Sequence, residues 1–202
     1  MNLRSIITCV AVVSLLIACE EEDAMPLDGY DEQELLDARK TKDEQFRSED
    51  SPLLPQERDG FKGLSYFEPN EDYAVDAVLT RAVRADTISM QTTSSELRRA
   101  VRIGSFAFEI QGNTLSLNAY QFIDGSADSY FVPFTDKTNG EQTYKAGRYL
   151  DVEVLDNDSA YVIDFNAAYQ PYCAYNENFS CPIAPRENSL AVAIKAGEKK
   201  QP

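Results

Sequence analysis

The feature that most constrains the fold is a succession of strand-length segments joined by turn residues, with no helical stretch between them. Residues 73–79 place Tyr73, Val75, Ala77 and Leu79 at alternate positions, the period of a strand with one buried face. Residues 87–92 form a β-branched polar segment. Residues 105–110 and 114–120 flank Gln111-Gly112-Asn113 and read as a hairpin. Residues 130–134 are short and apolar. Residues 150–155 and 161–165, around Asp156-Asn157-Asp158, read as a second hairpin, and residues 190–194 as a closing strand. Such spacing predicts a mainly β fold, either an antiparallel sandwich or a partly open barrel.

One helix precedes these strands, over residues 31–48. Asp31 can cap its start, with Glu34 at capping-box spacing. Arg39–Asp43 and Asp43–Arg47 stand four apart and can support it slightly. Pro52 and Pro55 then close it off.

The N-terminus has a different character. Arg4 precedes an apolar run of 13 residues, 6–18, interrupted by Thr8, Cys9 and Ser14. That is shorter than the roughly 20 residues a membrane-spanning helix needs, and it fits the apolar core of a secretion signal. Leu16-Ile17-Ala18-Cys19 resembles the lipobox of bacterial lipoproteins. The resemblance implies cleavage before Cys19, a thioether-linked diacylglycerol on its sulfur and an acyl chain on its amine; two or more chains anchor stably. The expected organisation is a signal over residues 1–18, an acidic tether over 19–30, and a single mostly β domain over 31–202. Glu20 after the lipid site resembles the pattern of outer-membrane delivery, and Glu20-Glu21-Glu22-Asp23 resembles acidic surface-export signals. The expected location is therefore the cell envelope, at the outer membrane, facing periplasm or cell surface.

A net charge of −15 repels nucleic acids and anionic headgroups. No nucleic-acid partner is expected, and membrane contact is expected through the lipid alone. The chain has no histidine. That removes Ser-His-Asp and Cys-His nucleophile activation in their usual forms and the commonest transition-metal ligand, so neither cofactor nor metal is expected. Of four cysteines, Cys9 leaves with the signal and Cys19 takes lipid, so Cys173 and Cys181 remain. In an oxidising compartment two nearby thiols usually pair. A disulfide would close the C-terminal loop and contribute roughly 2.5 kcal/mol. A two-cysteine metal site is the competing reading.

Between Phe165 and Leu190 runs a long segment without clear secondary structure, rich in aromatics, proline and both cysteines. It is either a packed strap across the barrel or a binding lid. Two stretches are more distinctive. One is Phe134-Thr135-Asp136-Lys137-Thr138-Asn139-Gly140-Glu141-Gln142-Thr143-Tyr144-Lys145-Ala146-Gly147-Arg148-Tyr149-Leu150. The other is Asp164-Phe165-Asn166-Ala167-Ala168-Tyr169-Gln170-Pro171-Tyr172-Cys173-Ala174-Tyr175, continuing through Cys181-Pro182-Ile183-Ala184-Pro185-Arg186-Glu187-Asn188 to Ala196-Gly197-Glu198-Lys199. Together they resemble the domain-of-unknown-function family numbered 1684, over roughly residues 51–199. Lys145 stands where that family would have glycine, and Gln170 where asparagine is commoner. The resemblance implies no known activity.

The residues able to do chemistry cluster in these stretches. Asp136, Thr138 and Gly140 superficially resemble a calcium loop, but the spacing fails and an Asx turn fits better. Arg148 can fork onto a ligand carboxylate or phosphate, or pair internally with Asp136 or Asp164. Asp164 and Asn166 end a strand and open the long loop, where sites usually form. Asp164 and Asp136 can act as an acid/base couple, as in glycoside hydrolysis, or simply cap turns. The expected ligand-binding set is Asp136, Thr138, Tyr144, Arg148, Asp164, Asn166 and Tyr169, around a mouth between the 136–148 loop and the cysteine loop. The preferred reading is a non-catalytic envelope module that binds a small molecule, glycan or envelope protein. The alternatives are a histidine-free glycan hydrolase using a carboxylate pair, and a purely structural envelope protein.

Overall fold

A computed structural model of the chain describes residues 29–155 and 160–201. The secretion signal, Cys19, the tether up to residue 28 and the 156–158 turn lie outside the described residues.

Helix α1 spans Glu32–Arg47. The Asp31 carboxylate accepts from Glu34 N–H at 3.0 Å and caps it. The expected Arg39–Asp43 pair does not form, because both side chains have backbone partners elsewhere. Arg39 donates to the carbonyls of Phe67 and Asn166, and Asp43 accepts from Leu64 N–H at 2.8 Å. Asp43–Arg47 is a long contact of 4.0 Å. Phe46, fully buried, packs on Phe61 and Tyr175, so the helix docks through Phe46, buried Leu35 and several side-chain bonds to backbone. A short second helix, α2 (Pro55–Arg58), follows. Among the described residues, no helix is long and apolar enough to cross a membrane.

Six antiparallel strands follow: β1 (Ala74–Gln91), β2 (Leu97–Ile110), β3 (Asn113–Phe122), β4 (Ser129–Phe134), β5 (Arg148–Glu153) and β6 (Ala160–Asp164). They form one sheet in the order β5-β4-β3-β2-β1-β6, curled into a nearly closed barrel with β5 and β6 at its two edges. The two segments expected at 73–79 and 87–92 are halves of the single strand β1, which is interrupted between Arg81 and Asp86. The hairpin at Gln111-Gly112 forms as expected, both residues having positive φ.

The second expected hairpin does not form. β5 pairs with β4, and β6 pairs with the start of β1, Ala74 opposite Asp164 and Val78 opposite Ala160. Both segments are strands, and Leu150, Val152, Tyr161 and Ile163 all point into one core. They reach it from opposite edges of the curled sheet, which local periodicity does not encode.

The closing strand is also absent. Leu190, Val192, Ile194 and Ala196 are buried at alternate positions in the barrel core, so the segment is extended. Its backbone groups are bonded partly by backbone groups of Thr135, Lys137, Phe67 and Ala168 and partly by side chains, without forming a continuous ladder.

The sheet is apolar on both faces. Leu117 and Ala119 of β3, Val132 and Phe134 of β4, and Leu150 and Val152 of β5 face the barrel core. The intervening Tyr120, Phe131 and Tyr149 form a second cluster on the opposite face with Met90 and Ala100. β2 reaches both clusters because of a bulge. Arg102 pairs with Tyr120 and Gly104 with Ala119, leaving Ile103 as an extra residue. One inserted residue reverses the phase of a strand, so Phe106 and Phe108 face the core while Ala100 faces the second cluster. Gly104 is required there, since a Cβ would lie 2.3 Å from the Thr80 carbonyl oxygen.

Candidate functional site

The motif residues form two buried networks. Arg148 has no exposed surface. Its guanidinium donates to Asp136 Oδ2 at 2.9 Å, to the Ile194 carbonyl at 2.8 Å, and to the Ala196 and Glu198 carbonyls. Asp136 Oδ1 accepts from Thr138 N–H at 2.7 Å and Ile194 N–H at 3.2 Å. The pair thus bonds the backbone around residues 194–198 and adds to the segment's backbone bonds, Leu190 N–H to the Thr135 carbonyl, Lys137 N–H to the Val192 carbonyl and Glu198 N–H to the Ala168 carbonyl. Burial pulls the Arg148 pKa down from its ordinary value, against the opposing pull of Asp136. The Thr138 and Thr143 hydroxyls bond to each other at 2.9 Å and close the turn from within.

Asp164 and Asn166 form the second network. Asp164 Oδ1 accepts from Asn166 N–H and Nδ2, each at 2.8 Å. Asn166 exchanges two further bonds with the Asn70 backbone. Burial pushes the Asp164 carboxyl above its usual range, although the Asn166 bonds oppose it. Both aspartates are thus occupied by turn and internal bonds.

Between the 140–145 and 170–175 segments lies a cavity of about 390 Å³ lined by Tyr144, Lys145, Gln170, Tyr175 and Lys200, among others. Of the seven expected residues only Tyr144 lines it. Burial, then a bond to Cys173, pushes the Tyr144 hydroxyl up to about 12. Asp136, Thr138, Arg148 and Asn166 are all buried.

Tyr169 leads to a different place, a groove of about 610 Å³ on the second-cluster face of the sheet. Its floor is a row of rings, one from each neighbouring element: Phe122 of β3, Phe131 of β4, Tyr149 of β5 and Tyr169 of the long loop. Successive centroids are 5.0, 4.7 and 5.6 Å apart, close to the spacing of the strands that bear them. A cation caps each end. Arg98 lies 4.0 Å over Phe122 and Lys42 lies 4.7 Å over Tyr169. Lys42 Nζ is held from beneath by buried Glu198 at 2.5 Å. The Tyr169 hydroxyl donates to Asp151 at 2.7 Å; burial, then that carboxylate, pushes its pKa up. Exposed Tyr172 and Phe179, edge to face at 5.3 Å, form one wall, and Gln45, Gln121 and Ser129 add polar groups.

Except for Tyr169, sequence reasoning missed these residues. One signal was available: residues 130–134 are apolar at every position, as expected of a strand covered on both faces.

The long loop is a strap, tied to β1 through Ile183 N–H to the Gln91 carbonyl and Thr93 N–H to the Cys181 carbonyl. The expected disulfide is not formed. Cys173 and Cys181 are free thiols with sulfurs 2.9 Å apart, and the strap's backbone bonds hold the loop without covalent closure. Among the described residues, no group of three His, Cys, Asp or Glu side chains could hold a metal ion. The Cys181 thiol, and then the Tyr144 hydroxyl against the effect of burial, pull Cys173 down to about 6, while the same thiol–thiol bond and burial push Cys181 up.

No functionally curated protein matches the chain. In solved structures it is similar to the uncharacterized protein from gene locus rrnAC0354 of Haloarcula marismortui, determined by solution NMR. The two are 38% identical, over 83% of this chain and 93% of that one, with a TM-score of 0.67. The family described as "Protein of unknown function (DUF1684)" matches residues 59–199, a span that takes in both buried networks, the strap and all six strands described above. The chain therefore belongs to the DUF1684 family.

Proposed function

We propose that this is a non-catalytic binding domain of an envelope lipoprotein, and that the aromatic groove holds a glycan. The observation behind this reading is the row of four rings capped by Arg98 and Lys42. Sugar rings place apolar C–H faces on aromatic side chains while their hydroxyls bond to planar polar groups. Arg98, Asp151, Gln45 and Gln121 line the same groove. Its volume falls in the ordinary range for ligand sites.

Binding is favoured over hydrolysis because a carboxylate pair is missing where it would be needed. Among the described residues, Asp151 is the one carboxylate lining the groove, and Asp136 and Asp164 are occupied elsewhere. The envelope location rests on the lipobox-like Leu16-Ile17-Ala18-Cys19. Mass spectrometry of the mature N-terminus should find a lipidated Cys19; an unprocessed Met1 refutes the anchor.

Calorimetric titration with oligosaccharides from envelope polysaccharides and peptidoglycan tests the groove. Phe179→Ala and Arg98→Ala should each weaken binding about tenfold, equivalent to about 1.4 kcal/mol, with unchanged circular dichroism. Absence of saturable binding to any of these glycans, or equal affinity in both variants, overturns the assignment.

A further inference from the structure

We propose that Cys173 and Cys181 form a reversible thiol–disulfide exchange site that takes low-molecular-weight disulfides, with Cys173 as the attacking sulfur and Cys181 as the resolving one. The geometry separates the two roles. Cys173 is half-buried, whereas Cys181 is only 6% exposed. Cys173 N–H donates to the Cys181 sulfur at 3.1 Å, and Cys181 is held further by its own N–H bond to Thr93 Oγ1. Two thiols are thus in contact on a strap that is anchored on both sides of them by backbone bonds to β1 and within the loop. The Tyr144 hydroxyl also favours the Cys173 thiolate, an influence that a static cross-link would not need.

The titratable groups acting on Cys173 are Cys181, Tyr144 and Tyr149. No lysine or arginine is among them, so the thiolate is stabilised by hydrogen bonds. The exchange balances as follows. The Cys173 thiolate attacks one sulfur of a small disulfide and expels a thiolate, forming a mixed disulfide. Cys181 then loses its proton to the expelled thiolate and attacks the Cys173 sulfur. The intramolecular disulfide forms, the second small thiolate leaves and takes a proton from water, and two electrons have passed from the protein to the small disulfide. Reduction by excess small thiol runs the same steps backwards.

The test uses the full mature protein with glutathione and its disulfide, followed by alkylation and mass spectrometry of the peptides bearing residues 173 and 181. Both thiols should convert together, in a two-electron transition set by the ratio of disulfide to thiol. In Cys181→Ser the mixed disulfide should accumulate on residue 173; Cys173→Ser should form at most a tenth as much in the same time. Rates against pH give a readout that a structural cross-link would not. A thiol titrating near 6 should outpace an ordinary one of 8.5 by only about twofold at pH 7 but about twentyfold at pH 5.5. This follows because its larger thiolate fraction is offset by weaker nucleophilicity. Three results overturn the proposal: thiols that stay free at every ratio, a bond that excess thiol does not reduce, or a mixed disulfide shared equally by the two positions.

Discussion

Replacing Arg148 with alanine removes the centre of the larger buried network, and its consequence can be worked from the contacts. The side chain is fully buried, as is the Asp136 carboxylate it meets at 2.9 Å. Breaking such a pair from one side leaves an uncompensated charge and costs roughly 3–5 kcal/mol. The carbonyls of Ile194, Ala196 and Glu198 also lose their donor. Each stranded buried acceptor can cost about 1–3 kcal/mol, less where water enters the vacated space. About 4 kcal/mol is therefore a lower expectation, a large share of the roughly 5–15 kcal/mol of a typical domain. In urea, with a slope near 2 kcal/mol per molar, the midpoint should fall by about 2 M. Should the variant not fold at all, Asp136→Asn with Arg148→Met keeps the idea testable. This pair removes the stranded charge and should be more stable than Arg148→Ala alone. A stability for Arg148→Ala within about 0.5 kcal/mol of wild type, a midpoint shift of about 0.25 M and the behaviour of a solvent-facing arginine, would refute the reasoning and make Arg148 a ligand contact again.

Two further substitutions probe the polar clamps. Asn188, fully buried, donates to the carbonyls of Asn118 and Pro133 and accepts from Asn118 N–H. It thus ties β3 to β4, whose ladder has the single pair Tyr120–Phe131; Asn188→Ala should cost about 3 kcal/mol in urea unfolding, and a loss under about 1 kcal/mol would contradict that role. Asp164 has its pKa raised in the folded state by burial, so the folded form binds the proton more tightly than the unfolded form. Its contribution to stability is present at low pH and is lost as pH rises from about 3.8 through the folded value. Asp164→Asn should therefore gain on wild type between pH 4 and 7 in unfolding experiments, and a constant difference, or one of opposite sign, would show that the carboxyl is not desolvated.

Local structure was legible where local chemistry decides it. The Asp31 cap and the Gln111-Gly112 turn need only a few neighbouring residues. The inward face of the first half of β1, with Ala77 and Leu79, was also legible from alternation. What could not be read was how edges and faces meet. β6 pairs with β1 across more than 80 residues of chain, and the 190–194 segment is held by backbone bonds to Thr135 and Lys137 together with the buried Arg148–Asp136 pair. The groove was hidden for a related reason. Arg98 and Phe106 have the same parity along β2, so alternation assigns them to one face, but the extra residue at Ile103 puts them on opposite faces. The polar motif residues attract attention in the sequence as chemistry. Many of them, including Asp136, Thr138, Arg148, Asn166, Gln170, Asn188 and Glu198, are buried, where their chemistry joins backbone segments that lack partners.

The claim on which the functional account depends is that ligand meets the aromatic row and not the 136–148 motif loop. Amide chemical-shift mapping by two-dimensional NMR, during titration with envelope-derived oligosaccharides, tests it most directly. The account predicts shifts concentrated at Arg98, Gln121, Phe122, Phe131, Asp151, Tyr169 and Phe179, with the amides of Asp136, Thr138 and Arg148 unmoved. Shifts centred on Tyr144, Lys145 and Lys200, with the aromatic row silent, would contradict it.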